Sequence, residues 1–310
     1  MTVVVFGSIN LDLVIEVAHL PTKGETVIGD RFFSAAGGKA ANQAVAIAKL
    51  GTNVSLVGQV GDDSFGQSLI KSLQTAGVNT AGITINPHTY SGIASIVVDR
   101  HGANTIACAA GANNLVRDQE LEQFGKLLTK AKIVLLELGI PIATVLKAAR
   151  EAKAHDCSII LDPAPVISNL PEELYSLVDI ITPNEIEASQ LVGFTVDGVT
   201  TARQAALFLH QMGIKNVIIT LGSQGSLCSN ETESFWVKPI VVSVVDTVAA
   251  GDAFNGALAT ALASGKSLKE AVLWATVGGA LAVTKNGAQS SLPDRDSFQK
   301  LLSQQTMALD

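Results

Sequence analysis

The hydrophobic residues of this chain fall into two alternating patterns. Short runs rich in Val and Ile, apolar at nearly every position, alternate with longer segments in which apolar residues recur at helical spacing. Continuous apolar runs are typical of strands covered on both faces, as in a parallel sheet flanked by helices. The predicted strands read TVVVFGS, VSLVGQV, IVLLEL, SIILDP, DIITPN and NVIITLG. The alternation predicts an α/β fold, a three-layer core with a mostly parallel central sheet between two layers of helices.

Two segments depart from this pattern. Residues 11–35 and 90–111 alternate apolar and polar positions and contain turn-forming residues, which is typical of antiparallel strands. We expect them to form a small sheet over the ends of the main strands. Because no internal repeat or low-complexity linker divides the chain, residues 1–310 are predicted to form a single domain. Its lid would consist of about residues 11–35 and 90–111.

Composition and charge narrow the function classes. The chain has 310 residues, is 47% hydrophobic and carries a net charge of −7. No Lys/Arg cluster is present, so neither nucleic acid nor a membrane surface is an expected partner. The N-terminal residues do not resemble a signal peptide and no apolar segment is long enough to span a bilayer, so a soluble, cytoplasmic protein is expected. GxGxxG, GxxxxGK[ST], GxSxG and HExxH are all missing, which makes a dinucleotide-dependent oxidoreductase the least favoured reading.

The stretch DTVAAGDAFNG, residues 246–256, brings a carboxylate to the start of an apolar helix. The small residues Ala249, Ala250 and Gly251 precede Asp252. Helix N-termini carry backbone N–H groups without helical partners and the positive end of the dipole, so an anion could bind the main chain here. Asp252 would then be a base beside an anion hole. The alternative is an ordinary Asp that stabilises the helix start.

Two further motifs offer groups suited to sugar hydroxyls. Gly38, Lys39 and Asn42 lie at the start of a helix in AAGGKAANQ. They would bind a polar ligand, or the helix would simply start at glycine with Lys39 exposed to solvent. Asn10 and Asp12 follow the first strand at i, i+2 spacing, which in an extended chain places both side chains on one side. Vicinal hydroxyls would suit this pair, and an Asx turn is the alternative.

Two motifs offer groups suited to a nucleotide. Asn184 and Glu187 begin a helix after a buried strand, where they would order the water shell of Mg²⁺ or only complement the helix dipole. The stretch IITLGSQG would contact phosphate or nucleoside, or would be a plain hairpin turn; its candidate residues are Thr220, Gly222, Ser223 and Gly225. Four of the five motifs follow predicted strands of one parallel sheet, at the edge where ligands collect.

Taken in order, these motifs resemble the ribokinase family, the phosphofructokinase-B type of carbohydrate kinase. The stretches that carry the resemblance are GSINLD, AAGGKAANQAVAIAKLG, DIITPNEIEA, ITLGSQG, DTVAAGDAFNGAL and AVTKNGAQSSLP. They extend over essentially the whole chain. The resemblance implies an α/β core with a β-sheet lid and transfer of the ATP γ-phosphoryl to the primary hydroxyl of a sugar, with ribose the favoured substrate. A fructokinase or other ketose kinase and a nucleoside kinase are the alternatives within the family. A non-catalytic sugar sensor is disfavoured because Asp252, Gly251 and Asn184 are all present.

The resemblance also implies residue roles. Asp252 would be the base, and the amides of Ala249, Ala250 and Gly251 would form the anion hole. The implied sugar-binding residues are Asn10, Asp12, Gly38, Lys39, Asn42 and Asp252. The implied nucleotide-binding residues are Asn184, Glu187, Thr220, Gly222, Ser223, Gly225, Gly251 and Thr276. ATP would enter with Mg²⁺, and an activating K⁺ would be bound by Asp246, Val248, Ala282, Lys285, Gly287 and Ser291. A homodimer through the lid is expected.

The chain departs from the family pattern at two positions. Gly139, in ELGIP, stands where the family carries a sugar-binding Glu, and Glu137 precedes it by two residues on the same side of the strand. Glu137 is therefore a candidate to replace part of that contact. Ala40 replaces a usual Gly. Both changes bear on ribose as substrate more than on kinase activity.

Overall fold

The computed structural model describes residues 2–167 and 170–306. The strands of its central sheet are β1 (Thr2–Phe6), β4 (Asn53–Gly61), β5 (Asn79–Asn86), β8 (Ala131–Glu137), β9 (Ser158–Asp162), β10 (Ile180–Ile181), β11 (Asn216–Thr220), β12 (Ser226–Ser229) and β13 (Ser234–Val237). Their order is β13-β12-β11-β10-β9-β8-β1-β4-β5. In this order, all neighbouring strands from β11 through β5 are parallel to each other. At the other edge, β12 and β13 are added as antiparallel strands.

Helices cover both faces of this sheet. They are α1 (Lys39–Lys49), α2 (Ser64–Thr75), α3 (Asp118–Leu128), α4 (Ile142–Ala154), α5 (Glu172–Leu177), α6 (Glu185–Val192), α7 (Val199–Gln211), α8 (Ala250–Ala263), α9 (Leu268–Ala282) and α10 (Arg295–Thr306). Alternate residues of β1 enter different cores. Val4 belongs to the core that includes residues of α3 to α7, and Val5 to the core that includes residues of α1, α2, α8 and α9. The near-continuous apolar strands follow from this double coverage, and the predicted fold class is confirmed.

A separate four-stranded sheet, here called the small sheet, has the order β3-β2-β6-β7. Its strands are β2 (Asn10–Val17), β3 (Arg31–Gly37), β6 (Gly92–Asp99) and β7 (Asn104–Ala109). The outer pairs are antiparallel, as the sequence predicts, but the central pair of β2 and β6 is parallel. The reason is that β2 follows β1 and β6 follows β5, so both leave the main sheet in the same direction.

The fold places the ends of several parallel strands at one edge of the main sheet. Glu137 ends β8 and Asp162 ends β9, and the two are paired in register. The small sheet and the start of α1 lie beyond this edge, because β2 and β6 follow the carboxyl ends of β1 and β5 and α1 follows β3. The start of α8 lies there too, since side chains of α1 bind both Asp252 and Asp162. Among the described residues, no helix combines the length and apolarity needed to cross a membrane.

Candidate active site

The start of α8 carries unpaired backbone donors. Ala249 precedes the helix in the left-handed region, with φ 59°. The N–H of Ala250 donates to the Thr247 carbonyl at 3.3 Å, whereas the N–H groups of Gly251 and Asp252 donate to no acceptor among the described residues. A Cβ built on Gly251 meets no heavy atom within 4 Å. Two free N–H groups at a helix N-terminus with open space in front of them are suited to bind an anion.

The Asp252 carboxylate, which is buried, is held by two amides from α1. Asn42 Nδ2 donates to Oδ2 at 2.8 Å, and Gln43 Nε2 donates to Oδ1 at 3.2 Å. Gln43 Nε2 also donates to Asp162 Oδ2 at 2.7 Å. Asp252 is thus fixed in place by side chains, which capping of α8 alone would not require.

Lys39 is the cation of this buried carboxylate cluster. Burial raises the pKa of Asp252, and Lys39, Asn42 and Gln43 oppose that rise. Burial raises the pKa of Asp162 to about 8 against the effect of Lys39. For Lys39 itself, burial acts to lower the pKa, but Asp162, Asp252 and other nearby carboxylates outweigh it and the pKa is raised. Lys39 therefore remains protonated and favours the ionised form of Asp252.

A cavity of about 220 Å³ opens in front of these groups. Its lining residues are Lys39, Asp162, Thr182, Asn184, Glu187, Thr220, Thr247, Ala249, Ala250, Gly251, Asp252, Phe254 and Asn255. Lys39 from the predicted sugar residues, the whole predicted anion hole with Asp252, and three more of the predicted nucleotide residues thus line one cavity. A larger cavity, about 400 Å³, opens among Thr2, Asn53 and Lys130 at the opposite edge of the sheet and holds none of the predicted site residues.

The predicted sugar-binding residues Asn10, Asp12, Gly38 and Asn42 do not themselves line this cavity, but Asn42 contacts Asp252, which does. Gly38 has φ 92°, and a Cβ there would lie 2.7 Å from the Ser8 carbonyl oxygen, so glycine is needed where α1 begins against the turn after β1. Asn113, which the sequence analysis missed, donates from Nδ2 to Asn10 Oδ1 at 2.7 Å and accepts from the Ile9 N–H at 2.9 Å. Burial and the nearby Asp252 raise the pKa of Asp12 to about 6. These contacts fix the Asn10 side chain and place Asp12 close to Asp252.

Glu137 binds the backbone of the turn after β1 and of the turn after β8. Its side chain is fully buried, Oε1 accepts from the Ser8 N–H at 2.5 Å, and Oε2 accepts from the Gly139 N–H at 2.8 Å. Burial raises its pKa to about 7, opposed by these hydrogen bonds and by Lys39. Glu137 thus anchors two strand-end turns to each other through its carboxylate oxygens.

Several predicted nucleotide residues have structural contacts of their own. Asn184 Oδ1 accepts from the Ile186 and Glu187 N–H groups, and Glu187 Oε2 accepts from the Asn184 N–H, which together form a capping box for α6. Gly225 has φ 96°, and a Cβ there would lie 2.3 Å from the Val237 carbonyl oxygen, so the β11–β12 hairpin itself requires glycine. Thr276 Oγ1 donates to the Val272 carbonyl. Asn184, Glu187 and Thr220 line the cavity, whereas Gly222, Ser223, Gly225 and Thr276 do not.

Apart from Ala282, which ends α9, the predicted K⁺ ligands lie on two loops, and Asp246 joins these loops. Its Oδ2 accepts from the Gly287 N–H at 2.8 Å and its Oδ1 from the Val248 N–H at 3.0 Å. No hydrogen bond among the described residues uses the carbonyls of Val248, Lys285 or Gly287, whereas the Ala282 carbonyl accepts from the Lys285 N–H. Ser291 is fully buried in the second loop. A carboxylate and free carbonyls at neighbouring turns are the kind of donors that a hard cation takes.

The comparisons with known proteins agree with this geometry. The model of the pfkB family of carbohydrate kinases matches residues 1–295. The chain belongs to the pfkB family. It is 40% identical to a ribokinase of Haemophilus influenzae, over 97% of this chain and 98% of that protein. It is 35% identical to a deoxyribokinase of Salmonella typhimurium, over 98% and 99%. A solved structure of Arabidopsis thaliana ribokinase complexed with ribose and ATP superposes with a TM-score of 0.88 at 34% identity, over 97% of this chain and 98% of that one.

As a pfkB-family member, this chain is an ATP-dependent sugar kinase, as the sequence predicts. Sequence reasoning missed Gln43, Asn113 and Asp162, and also the cavity-lining residues Thr182, Thr247, Phe254 and Asn255. Asp162 directly follows the buried strand SIIL, the same signal that pointed to Asn10 and Asn184, so it could have been found. Gln43 is a lone amide in an apolar helix, and Asn113 lies in a short 3₁₀ helix after β7, outside the parallel sheet whose strand ends gave the other candidates.

Proposed function

We propose that this kinase phosphorylates the primary hydroxyl of ribose. The observation that carries the proposal is the pairing at α8, where the buried Asp252 carboxylate adjoins the free N–H groups of Gly251 and Asp252. The ribokinase of H. influenzae and the ribose-bound structure of the Arabidopsis enzyme support ribose as the sugar.

In the proposed reaction Asp252 accepts the proton of the hydroxyl as its oxygen attacks the γ-phosphorus. The bond from that phosphorus to the ADP oxygen breaks, and ADP leaves. Charge that develops on the phosphoryl oxygens faces the N–H groups of Gly251 and Asp252 and the helix dipole behind them. Because phosphoryl transfer depends on positioning and charge stabilisation, preorganised donors of this kind supply the main catalytic effect.

For the sugar, we propose contacts from Asn10, Asp12, Lys39 and Asn42, with Gly38 allowing close backbone approach. Asn42 donates to Asp252, yet its Oδ1 is buried without a hydrogen-bond partner among the described residues. A sugar hydroxyl would satisfy that oxygen. A buried acceptor without a partner is unfavourable, which supports a polar ligand here.

For the nucleotide, we propose contacts from Asn184, Glu187 and Thr220 and from the hairpin turn at Gly222, Ser223 and Gly225. Thr276 is proposed to lie near the adenine. Capping uses Asn184 Oδ1 and Glu187 Oε2, so the Asn184 amide nitrogen and Glu187 Oε1 are the atoms left for a ligand. The described residues contain no cluster of three His, Cys, Asp or Glu that could hold a metal ion. We therefore propose that Mg²⁺ enters with ATP and keeps most of its water.

For K⁺, we propose Asp246 with the carbonyls of Val248, Lys285 and Gly287, and with Ala282 and Ser291 completing the set. Bound there, the ion would supply fixed positive charge behind the loop that leads to the anion hole. The test compares turnover and thermal stability in KCl and NaCl at equal ionic strength. We expect faster turnover and a higher Tm in KCl. Identical values in both salts would remove the site.

The small sheet is proposed to close over the sugar and to join two copies of the chain. Strand register places Val14, Phe33, Ile96 and Ile106 on the same face as Asp12, and Ile106 is 53% exposed. An apolar face of this kind favours a homodimer. Light scattering after size exclusion should give twice the chain mass, and Ile106→Asp should lower it. A monomeric wild-type protein would contradict the proposal.

The sugar itself is tested by a substrate screen. ATP consumption is measured with ribose, deoxyribose, fructose, other ketoses and nucleosides. We expect the highest kcat/KM with ribose. A preference for fructose would indicate the ketose kinase alternative, a preference for nucleosides the nucleoside kinase alternative, and no turnover with any of them a sugar sensor.

A further inference from the structure

A row of buried polar groups connects Asp252 to the end of a neighbouring strand. Gln43 is fully buried, and its Nε2 donates to Asp252 Oδ1 at 3.2 Å and to Asp162 Oδ2 at 2.7 Å. The two hydrogens of one amide nitrogen are thus shared between two carboxylates. Through this amide the carboxyl end of β9 is linked to the start of α8.

The orientation of the Gln43 amide depends on Asp162. Gln43 Oε1 is buried and accepts no hydrogen bond among the described residues. Turning the amide over would break the hydrogen bonds from Nε2 to Asp162 and to Asp252, and would place Oε1 against the ionised Asp252. The shorter bond, to Asp162, therefore keeps the NH₂ group facing Asp252.

We propose that Gln43 and Asp162 are positioning residues for phosphoryl transfer. Asp162 orients the Gln43 amide, and Gln43 holds the Asp252 carboxylate ionised and aimed at the acceptor hydroxyl. This inference rests on the proposed function, in which Asp252 is the base. It adds two residues that touch neither the sugar nor the transferred phosphoryl group but set the state of the group that does.

The groups around Asp252 determine in which direction its pKa changes when the Gln43 hydrogen bond is removed. The titratable groups that surround it and Lys39 are Asp12 on β2, Lys39 on α1, Glu137 on β8, Asp162 on β9 and Glu187 on α6. Of these only Lys39 is cationic. Burial raises the pKa of Asp252, and the Gln43 hydrogen bond lowers it. Removing that bond should let Asp252 keep its proton to higher pH.

The experiment measures kcat/KM for ribose from pH 5.5 to 9. In Gln43→Leu the acid limb should move up by about one pH unit, which lowers activity roughly tenfold at pH 6 and much less at pH 8.5. The matched control is Gln59→Leu, since Gln59 Nε2 also donates to a buried carboxylate, Glu120 Oε1, at 2.8 Å. This control should leave the acid limb in place.

A second pair of variants tests the same link without changing Gln43. Asp162→Leu removes the acceptor that orients the amide and should move the acid limb up. Asp162→Asn keeps a side-chain oxygen for Gln43 and should leave the limb at or below its wild-type position. This pair decides the matter if Gln43→Leu does not fold.

Two outcomes would overturn the inference. One is a uniform loss of activity in Gln43→Leu with an unmoved acid limb, which would mean a packing role only. The other is identical behaviour of the two Asp162 variants. Asp252→Asn separates this failure from failure of the proposed function, because turnover retained in Asp252→Asn would remove the base itself.

Discussion

Gly251→Ala should separate stability from activity in this kinase. Gly251 is the second residue of α8, and a Cβ built there meets no protein atom within 4 Å. Alanine is favoured over glycine within helices by about 0.5–1 kcal/mol, so the variant should be more stable than the wild type by about that amount. For a chain of this size the Tm should rise by about 1–3 °C.

Activity should change in the opposite direction. The added methyl group would enter space that no protein atom fills, at a residue that lines the cavity where the phosphoryl group is proposed to bind. Displacing reacting groups by about 1 Å costs roughly 10²-fold in rate, so kcat/KM should fall about 10²-fold. No contact within the protein explains a glycine at this position, and the ligand is the remaining reason for it.

The assays are differential scanning calorimetry and a coupled ADP-release assay with saturating ATP. Gly125→Ala is the control, because Gly125 lies within α3 and its added methyl would meet only the movable Glu151 side chain. It should change stability slightly and activity not at all. Normal kcat/KM in Gly251→Ala would refute the anion-hole assignment, and a lower Tm would refute the statement that the space is empty.

Three other predictions follow from the same geometry. Asp252→Asn should lower kcat by roughly 10²–10⁴-fold while calorimetry still detects sugar binding, and near-normal turnover would contradict its role as base. Ala249→Gly should raise the free energy of unfolding by about 0.5–1 kcal/mol. Ala249 has φ 59°, and the left-handed conformation costs a non-glycine residue about 1–2 kcal/mol. The greater chain entropy of glycine in the unfolded state offsets part of this gain. Ala250→Gly is the control and should lower the free energy of unfolding. The ligand-free protein should lose stability as the pH rises from 5 to 8. Burial raises the pKa of Glu137 to about 7 and that of Asp162 to about 8. In this pH range the folded state therefore retains protons that the unfolded chain has released, which destabilises the folded state as the pH rises. Urea unfolding at fixed ionic strength measures the stability of the Ala249 and Ala250 variants and the pH dependence of the wild type. Stability that rises from pH 5 to pH 8 would contradict the raised pKa values of Glu137 and Asp162.

The sequence was sufficient to predict those parts of the fold and the site that depend on local patterns. Near-continuous apolar strands predicted the parallel sheet. Polar residues at strand ends and at helix starts predicted that Lys39, Asn184, Thr220 and Asp252 would meet at one edge. The parallel pairing of β2 with β6 was not predictable from either segment alone, because it depends on how β1 and β5 are ordered in the main sheet. The role of Gln43 was likewise not predictable from its local sequence, because its two carboxylate partners are 119 and 209 residues away.

The departure at Gly139 also has a physical explanation that the sequence alone could not supply. A Cβ at position 139 would lie 2.7 Å from Glu137 Oε2 and 2.9 Å from the Ser8 side chain, and a Cβ at position 7 would lie 2.0 Å from Glu137 Oε1. Glu137 therefore fills the space that side chains at positions 7 and 139 would need, and its oxygens bind the backbone of the two turns. Glycine at 139 and glutamate at 137 form one packing unit. Restoring a glutamate at position 139 alone would force Glu137 to move and release the Ser8 turn that precedes Asn10.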